Sequence, residues 1–365
     1  MNPLTISEKL FERYEKVIGS ADNYFGILAI FALALTAEAG NNQKLIEKCC
    51  TAMLKYPDKI NHPRYNFANY KIGGIAQAWL AMKGYITEKN EEIDVYAQMT
   101  LGAITDEEGI VCNPHRYPKH VQTWIDSVYA VCPFMLYAGV LTNNDKYIDF
   151  SVRQCVKMYQ RFMDKSCGLL HQAKGYRRDE RLISEDHWSR GNGWGYLGLT
   201  EFIQYLPYES KHRPLIEKMF KEHSEAIARY QDSIGFWRQE MTCNTSWRES
   251  SGSALFLYGI GVGIRLGILD EEKFRPVFEK GLIALSKCAI LENMSTMFCC
   301  EGCLSPGDGS IDAYLTEVSP LRDEVHSFGP FMLAMVSAYY LGIEDVETND
   351  RQYFYNDYRK NDICK

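Results

Sequence analysis

Along the chain, long apolar stretches alternate with amphipathic ones. Six are apolar almost throughout, rich in Gly, Ala and Ser, and long enough for a buried helix. They are "YFGILAIFALALTAEAG" from Tyr24, "YKIGGIAQAWLAMKG" from Tyr70 and "DSVYAVCPFMLYAGVL" from Asp126. The later three are "GNGWGYLGLTEFIQYL" from Gly191, "SGSALFLYGIGVGIRLGIL" from Ser251 and "FGPFMLAMVSAYYLGI" from Phe328. Between them lie stretches such as "QKLIEKCCTAMLKY", "DKYIDFSVRQCVKMYQRFM", "PLIEKMFKEHSEAIARYQ" and "KFRPVFEKGLIALSKCAI", with "EKLFERYEKVI" at the N-terminus. In these, apolar residues recur every three or four positions with charges opposite, which predicts helices with one solvent face. No sustained two-residue alternation predicts strands. Buried helices alternating with amphipathic ones imply helical hairpins, and six hairpins bury the apolar set best by closing into a ring. The expected fold is all-α, an (α/α) six-hairpin barrel or toroid, with residues 1–365 as a single domain. The rival is an open solenoid of helix pairs, but no polar capping repeat stands at either end.

Composition adds mainly exclusions. Of 365 residues, 46% are hydrophobic and 24% charged, which permits a sizeable core, and the net charge is −7. That balance argues against nucleic acid as the main partner, which needs a concentrated basic face. It leaves room for a small anionic ligand met by one or two arginines. The N-terminal stretch is charged and amphipathic, unlike a signal peptide, and the apolar runs are too broken to span a membrane. A cytoplasmic protein is expected. Its 12 cysteines, mostly within apolar helical stretches (Cys49, Cys132, Cys155, Cys288), read as reduced and buried. Cys299, Cys300 and Cys303 in "FCCEGC" lack a fourth ligand at metal-site spacing, so structural thiols and no metal are expected.

The loops that open the later inner helices gather aromatic, charged and glycine residues: "HVQTWIDSVYAV", "HWSRGNGWG", "NTSWRESSGSA" and "RDEVHSFGPF". In a closed ring these loops converge on one face, where tryptophans suit stacking against sugar rings. In "DHWSRGNGWGYLGL", Gly191 and Gly193 would let the backbone turn tightly into a buried helix. Trp188 and Trp194 would wall a pocket, and Arg190 would offer a planar fork matched to a carboxylate. The plainer reading pairs Arg190 with a buried acid such as Asp186 or Glu249 and places both tryptophans in the core. Asp126, opening an apolar helix, reads either as a helix cap or as an acid with a raised pKa among apolar neighbours.

"HWSRGNGWGYLGLTEFI" resembles the W-x-R-G-N-G-W segment of the unsaturated uronyl hydrolases, glycoside hydrolase families 88 and 105. "TWIDSVYAVCPFMLYAGVLTNNDKYID", "GLLHQA", "RESSGSALFLYGI" and "DEVHSFGPFMLA" are similar to further segments of that group in the same order. The likeness runs from about Asn66 to Ala334 and is nearer to family 105, the unsaturated rhamnogalacturonyl hydrolases of pectin degradation. It implies an enzyme needing no metal or cofactor. The substrate implied is a small lyase-generated oligosaccharide with a 4,5-unsaturated uronic acid at its non-reducing end. An acid protonates C4 of the vinyl ether, water adds at C5, and the hemiketal collapses to expel the next sugar, unlike hydrolysis by two carboxylates at the glycosidic oxygen.

By the same resemblance Asp126 is the acid and base, Trp124 stacks on substrate, and His115 (in "CNPHRYPKH") and His171 contact it. Arg190 meets the uronate carboxylate or water between Trp188 and Trp194, and His326 lines the cleft or caps the last inner helix. One position departs. Where the family carries a second aspartate in "N-x-D-x-x-x-x-G", this chain reads "NFANYKIGG", with Ala68 at the aspartate's place. Asn66 and Asn69 can hold a hydroxyl or water there but cannot act as carboxylates. Other readings remain. An epimerase would use opposed histidines among His115, His171 and His326. An inverting glycosidase would use two carboxylates among Asp126, Asp186, Glu249 and Asp323. A non-catalytic carbohydrate-binding relative would use neither. A monomer or homodimer is expected, with the polar stretch from Tyr176 to Glu185 gating the pocket.

Overall fold

Six apolar helices form the inner ring: α2 (Tyr24–Ala39), α4 (Gly74–Met82), α6 (Ser127–Thr142), α8 (Ser189–Tyr205), α10 (Ser250–Arg265) and α13 (Phe328–Tyr340). Each packs against the next, and α13 returns to pack on α2, so the ring is closed. The outer helices are α1 (Pro3–Val17), α3 (Gln43–Leu54), α5 (Asn90–Leu101), α7 (Asp145–Phe162), α9 (Arg213–Arg229) and α11 (Glu271–Ala284), with a short α12 (Ile311–Thr316) outside the scheme. The computed structural model describes residues 1–19, 21–56, 67–113, 122–177, 179–301 and 309–348.

Inner and outer helices differ as the sequence pattern demands. Ser250–Ile264 of α10 are buried on every side, whereas α9 buries only Ile216, Phe220, His223, Ser224, Ala226 and Ile227. Small residues set the spacing of the inner ring. A Cβ on Gly198 of α8 would lie 2.3 Å from Val128 Cγ1 of α6, and one on Gly259 of α10 would lie 2.3 Å from the Tyr196 ring. Neither contact is tolerable, so glycine is what lets these helices approach.

Two expectations shift in detail. The second inner helix starts at Gly74 rather than Tyr70. Residues Ala68–Ile72 form a 3₁₀ turn, and Gly73 and Gly74 take positive φ values of 94° and 49° that break the run. The third outer helix, α5, which the sequence pattern did not single out, buries little beyond Ile93, Ala97 and Thr100, so its apolar stripe is too thin to stand out.

Among the described residues, strands are confined to two-residue ladders: β1 (Thr123–Trp124) with β4 (Ala173–Lys174), β2 (Met163–Asp164) with β3 (Leu169–Leu170), β5 (Trp237–Arg238) with β6 (Arg248–Glu249), and β7 (Cys299–Cys300) with β8 (Pro320–Leu321). All are antiparallel. They matter for position, because β1 leads directly into α6 and β6 into α10.

Candidate active site

The opening of α6 carries the most exceptional group. Asp126 occupies the N-cap position, yet its side chain accepts no capping hydrogen bond. It is 7% exposed, and its Oδ2 has no hydrogen-bond partner among the described residues. Burial pushes the carboxyl up to about 7, against the opposing pull of Arg190, its own backbone and a Gln172 side-chain hydrogen bond; Asp186 pushes it further up. The result is a carboxylic acid that retains a proton close to neutrality.

The β1–β4 ladder fixes what surrounds it. Trp124 pairs with Ala173, and Ile125 N–H donates to the Gln172 carbonyl at 2.9 Å. These bonds bring Gln172 beside Asp126. The Trp124 indole lies against the Tyr176 ring, centroids 4.8 Å apart at 35°. His171, one residue before Gln172, is half-buried. Its Nδ1 lies 3.2 Å from the Asp186 carbonyl, and its ring centroid is 4.6 Å from that of His187. Burial, then the neighbouring His187, lowers its pKa, which favours a neutral imidazole. Asp186 is fully buried, accepts from Trp188 N–H at 3.1 Å, and is itself raised to about 6 by burial.

The α8 opening differs from expectation in two ways. Gly191 and Gly193 do not make a turn. The helix begins at Ser189, and the role of Gly193 is steric, since a Cβ there would meet Leu255 Cδ1 of α10 at 2.7 Å. Arg190 is a clamp rather than an open fork. It is fully buried, its guanidinium lies over the Trp188 ring at 4.5 Å, and it donates to Ser251 Oγ (3.1 Å) and to the carbonyls of Cys300 and Glu301 (2.7 Å each). Among the described residues it forms no ion pair with Asp186 or Glu249. Its charge still acts on Asp126. The two tryptophans part company. Trp188 sits in a small cluster with Cys300, Tyr314 and Val318, whereas Trp194 stacks on Tyr129 at 4.7 Å and 19°.

At the α13 opening, His326 joins two groups far apart in sequence. Its Nδ1 lies 2.8 Å from Glu324 Oε1, and its Nε2 hydrogen-bonds to the Tyr24 hydroxyl. Donation from Nδ1 to the carboxylate leaves Nε2 to accept from Tyr24. Burial alone would raise Glu324, but His326 and Arg190 hold it down to about 2. Tyr24 stacks on Tyr70 at 6.2 Å, and its carbonyl accepts from Tyr129 Oη at 2.8 Å. Asn69 is buried with Nδ2 donating to the Ala130 carbonyl at 2.8 Å, and its Oδ1 is unpaired among the described residues. Ala68 stands beside it.

Of the acids considered for a two-carboxylate reading, Glu249 and Asp323 are committed elsewhere. Glu249 caps α10, and Asp323 pairs with Arg13 at 2.5 Å and accepts from Thr296 N–H at 3.1 Å. Cys299 and Cys300 are free thiols packed beside Arg190. His115, Asn66 and Cys303 lie outside the described residues. Tyr24, Gln172 and Glu324 escaped the sequence reading, which had Tyr176 only as the start of a gating stretch and not as a ring against Trp124. Only Glu324 had a signal, two residues before His326 in "DEVHS".

Twelve paired helices closed into a ring, with acids and aromatics gathered where the inner helices begin, define an (α/α) six-hairpin barrel. The chain belongs to Glycosyl Hydrolase Family 88, whose pattern matches residues 23–341. It is 29% identical over 174 residues to the unsaturated 3S-rhamnoglycuronyl hydrolase of Formosa agariphila, covering 45% of this chain and 46% of that protein. It is 25% identical over 182 residues to the unsaturated rhamnogalacturonyl hydrolase YesR of Bacillus subtilis, covering 49% and 50%. The chain's match thus spans about half the length of these two relatives. A solved structure from Salmonella enterica, described as a possible member of family 105, superposes with a TM-score of 0.78 at 17% identity over 93% of both chains. The expected kinship and the closed barrel are both borne out.

Proposed function

We propose that this protein removes a 4,5-unsaturated uronic acid from the non-reducing end of lyase-generated oligosaccharides, with Asp126 as the proton donor. The observation that carries the reading is the uncapped, buried Asp126 carboxyl, raised to about 7 where the inner helices open. A general acid works best with a pKa near the operating pH. Asp126 delivers its proton to C4 of the vinyl ether. The carboxylate left behind then takes a proton from the water that adds at C5, and the hemiketal expels the neighbouring sugar. Arg190 nearby favours that carboxylate.

The Trp124–Tyr176 pair offers an aromatic platform for a sugar ring. His171, held neutral, and the Tyr24–His326–Glu324 chain supply donors and acceptors for ring hydroxyls. The unpaired Asn69 Oδ1 accepts one more, beside the position where Ala68 provides no carboxylate. Arg190 and the tryptophans of α8 act from behind this layer, and the segment from Tyr176 to Glu185 gates it. The protein works in the cytoplasm as a monomer or homodimer. The ten cysteines among the described residues are free thiols, which fits a reducing compartment; no helix among the described residues is long and apolar enough to cross a membrane.

The test uses unsaturated disaccharides made by lyases from rhamnogalacturonan and from glucuronate polymers, followed by the ultraviolet absorbance of the C4=C5 bond. Absorbance should fall with the wild type and hold with Asp126→Asn, and the responsive substrate names the specificity. Sugars that bind while absorbance holds for every substrate would replace the hydrolase reading with a non-catalytic or epimerase one.

A further inference from the structure

Three residues with metal-ligating atoms come together around His187, the ring against which His171 packs. The Asp164 carboxylate, the Cys167 thiol and one imidazole nitrogen of His187 lie within 4.8 Å of one another. They arrive from two elements. Asp164 ends β2 and Cys167 sits in the turn to β3, closed by Gly168 N–H donating to the Asp164 carbonyl at 2.7 Å, with Gly168 at φ 78°. His187 precedes α8. Asp164 Oδ1 is occupied by Ser166 (N at 2.8 Å, Oγ at 2.7 Å), so the oxygen facing His187 Nε2 at 3.1 Å is Oδ2.

The other face of His187 is built as a metal-bound imidazole requires. Fully buried Glu240 places Oε1 3.3 Å from Nδ1, and the same oxygen accepts the His187 backbone N–H at 2.9 Å. Thr242 Oγ1 donates to both Glu240 oxygens, at 3.1 and 3.0 Å. At 3.3 Å the contact is not aligned as a hydrogen bond, but a carboxylate beside the far nitrogen favours a proton at Nδ1 and so leaves Nε2 its lone pair for a metal. We propose that Asp164 Oδ2, Cys167 Sγ and His187 Nε2 bind a divalent cation of the zinc class, with Glu240 orienting the histidine and a water completing the tetrahedron.

The chemistry selects this class of ion. A thiolate and an imidazole favour borderline-soft metals over magnesium or calcium, which prefer all-oxygen sites. In a tetrahedral zinc site, neighbouring ligand atoms stand roughly 3.4–3.6 Å apart. The Asp164–His187 edge is already close to that. The widest edge must tighten by about 1 Å to reach the zinc spacing, and both Asp164 and Cys167 are half-exposed on a short turn that can supply the movement. Bound there, the cation ties the β2–β3 turn to the start of α8 and braces the ring against which His171 packs.

The test is titration of the reduced, chelator-treated protein with Co²⁺, whose thiolate complex gives a near-ultraviolet charge-transfer band. One equivalent should bind with that band, Zn²⁺ should displace it, and Cys167→Ser should abolish it. Cys243→Ser, at another half-buried cysteine, should keep it. Glu240→Gln should keep the band and weaken Zn²⁺ binding about 10–100-fold. A wild type without the band, or a band that survives Cys167→Ser, overturns the proposal. An affinity unchanged in Glu240→Gln removes Glu240 from it.

Discussion

The openings of α6 and α10 each place an acid at the N-cap of a buried inner helix, and the two acids meet opposite surroundings. Glu249 is fully buried and receives five donors: Ser251 N–H (3.0 Å) and Oγ (2.6 Å), Gly252 N–H (2.6 Å), Cys300 N–H (3.0 Å) and Ser189 Oγ (3.1 Å). Those bonds pin α10 to α8 and to β7. Asp126 is nearly as buried, yet caps nothing and keeps one oxygen unpaired. Position along a helix therefore does not decide what an acid does. The donors supplied around it do. A carboxylate saturated with N–H and O–H groups is a joint of the scaffold, and one left short of donors keeps its proton for use.

The largest effects should fall on opposite properties. Asp126→Asn keeps the shape and removes the proton donor, so turnover should drop about 10²–10⁴-fold while the protein folds normally, as read by initial rates and circular dichroism. Glu249→Ala leaves several buried donors without an acceptor and should cost about 3–5 kcal/mol of stability, read from the denaturant midpoint. A Glu249→Ala protein as stable as the wild type would erase the distinction between the two openings.

The contrast also predicts a sign. Asp126 has a pKa of about 7 in the folded protein against 3.8 for a free side chain. Between those values the folded state keeps a proton that the unfolded chain has released, so stability falls as pH rises through this window. Asparagine removes that dependence. Asp126→Asn should match the wild type below pH 4 and exceed it above pH 7 by on the order of a few kcal/mol. Urea midpoints at the two ends of the range measure this. A variant less stable than the wild type at high pH would mean that Asp126 serves the fold as Glu249 does.

The helices were legible because burial writes itself into composition. The α13 helix begins at Phe328 as the pattern requires, and all of Ile27–Ala37 in α2 is buried. What was hidden depended on backbone or on distant partners. The late start of α4 comes from the left-handed Gly73 and Gly74. Arg190 was read as a fork open to a carboxylate or paired with an acid, whereas the groups that hold it include the carbonyls of Cys300 and Glu301, which leave no trace in side-chain identity. In the site, Asp126 and Trp124 were singled out through the family resemblance, since an Asp opening an apolar helix reads equally as a cap. Tyr24 could not be, because its contact with His326 joins residues 302 positions apart.

The smallest effect probes a neutral side-chain donor to Asp126, the Gln172 amide. The Gln172 side chain hydrogen-bonds to Asp126 and lowers its pKa, opposing burial. Gln172→Leu removes the donor while adding apolar bulk, so both changes favour the protonated acid. A single neutral hydrogen bond is worth about 0.5–1.5 kcal/mol, which limits the shift to about one pH unit. If protonated Asp126 is the active form, the alkaline limb of kcat/KM should move to higher pH, with the variant retaining more of its maximal rate at pH 8 than the wild type. A limb that stays in place would separate Gln172 from the titrating group. A limb that moves down would show that the Gln172 amide favours the protonated acid rather than the carboxylate, and the contrast with Glu249 would then not rest on donors.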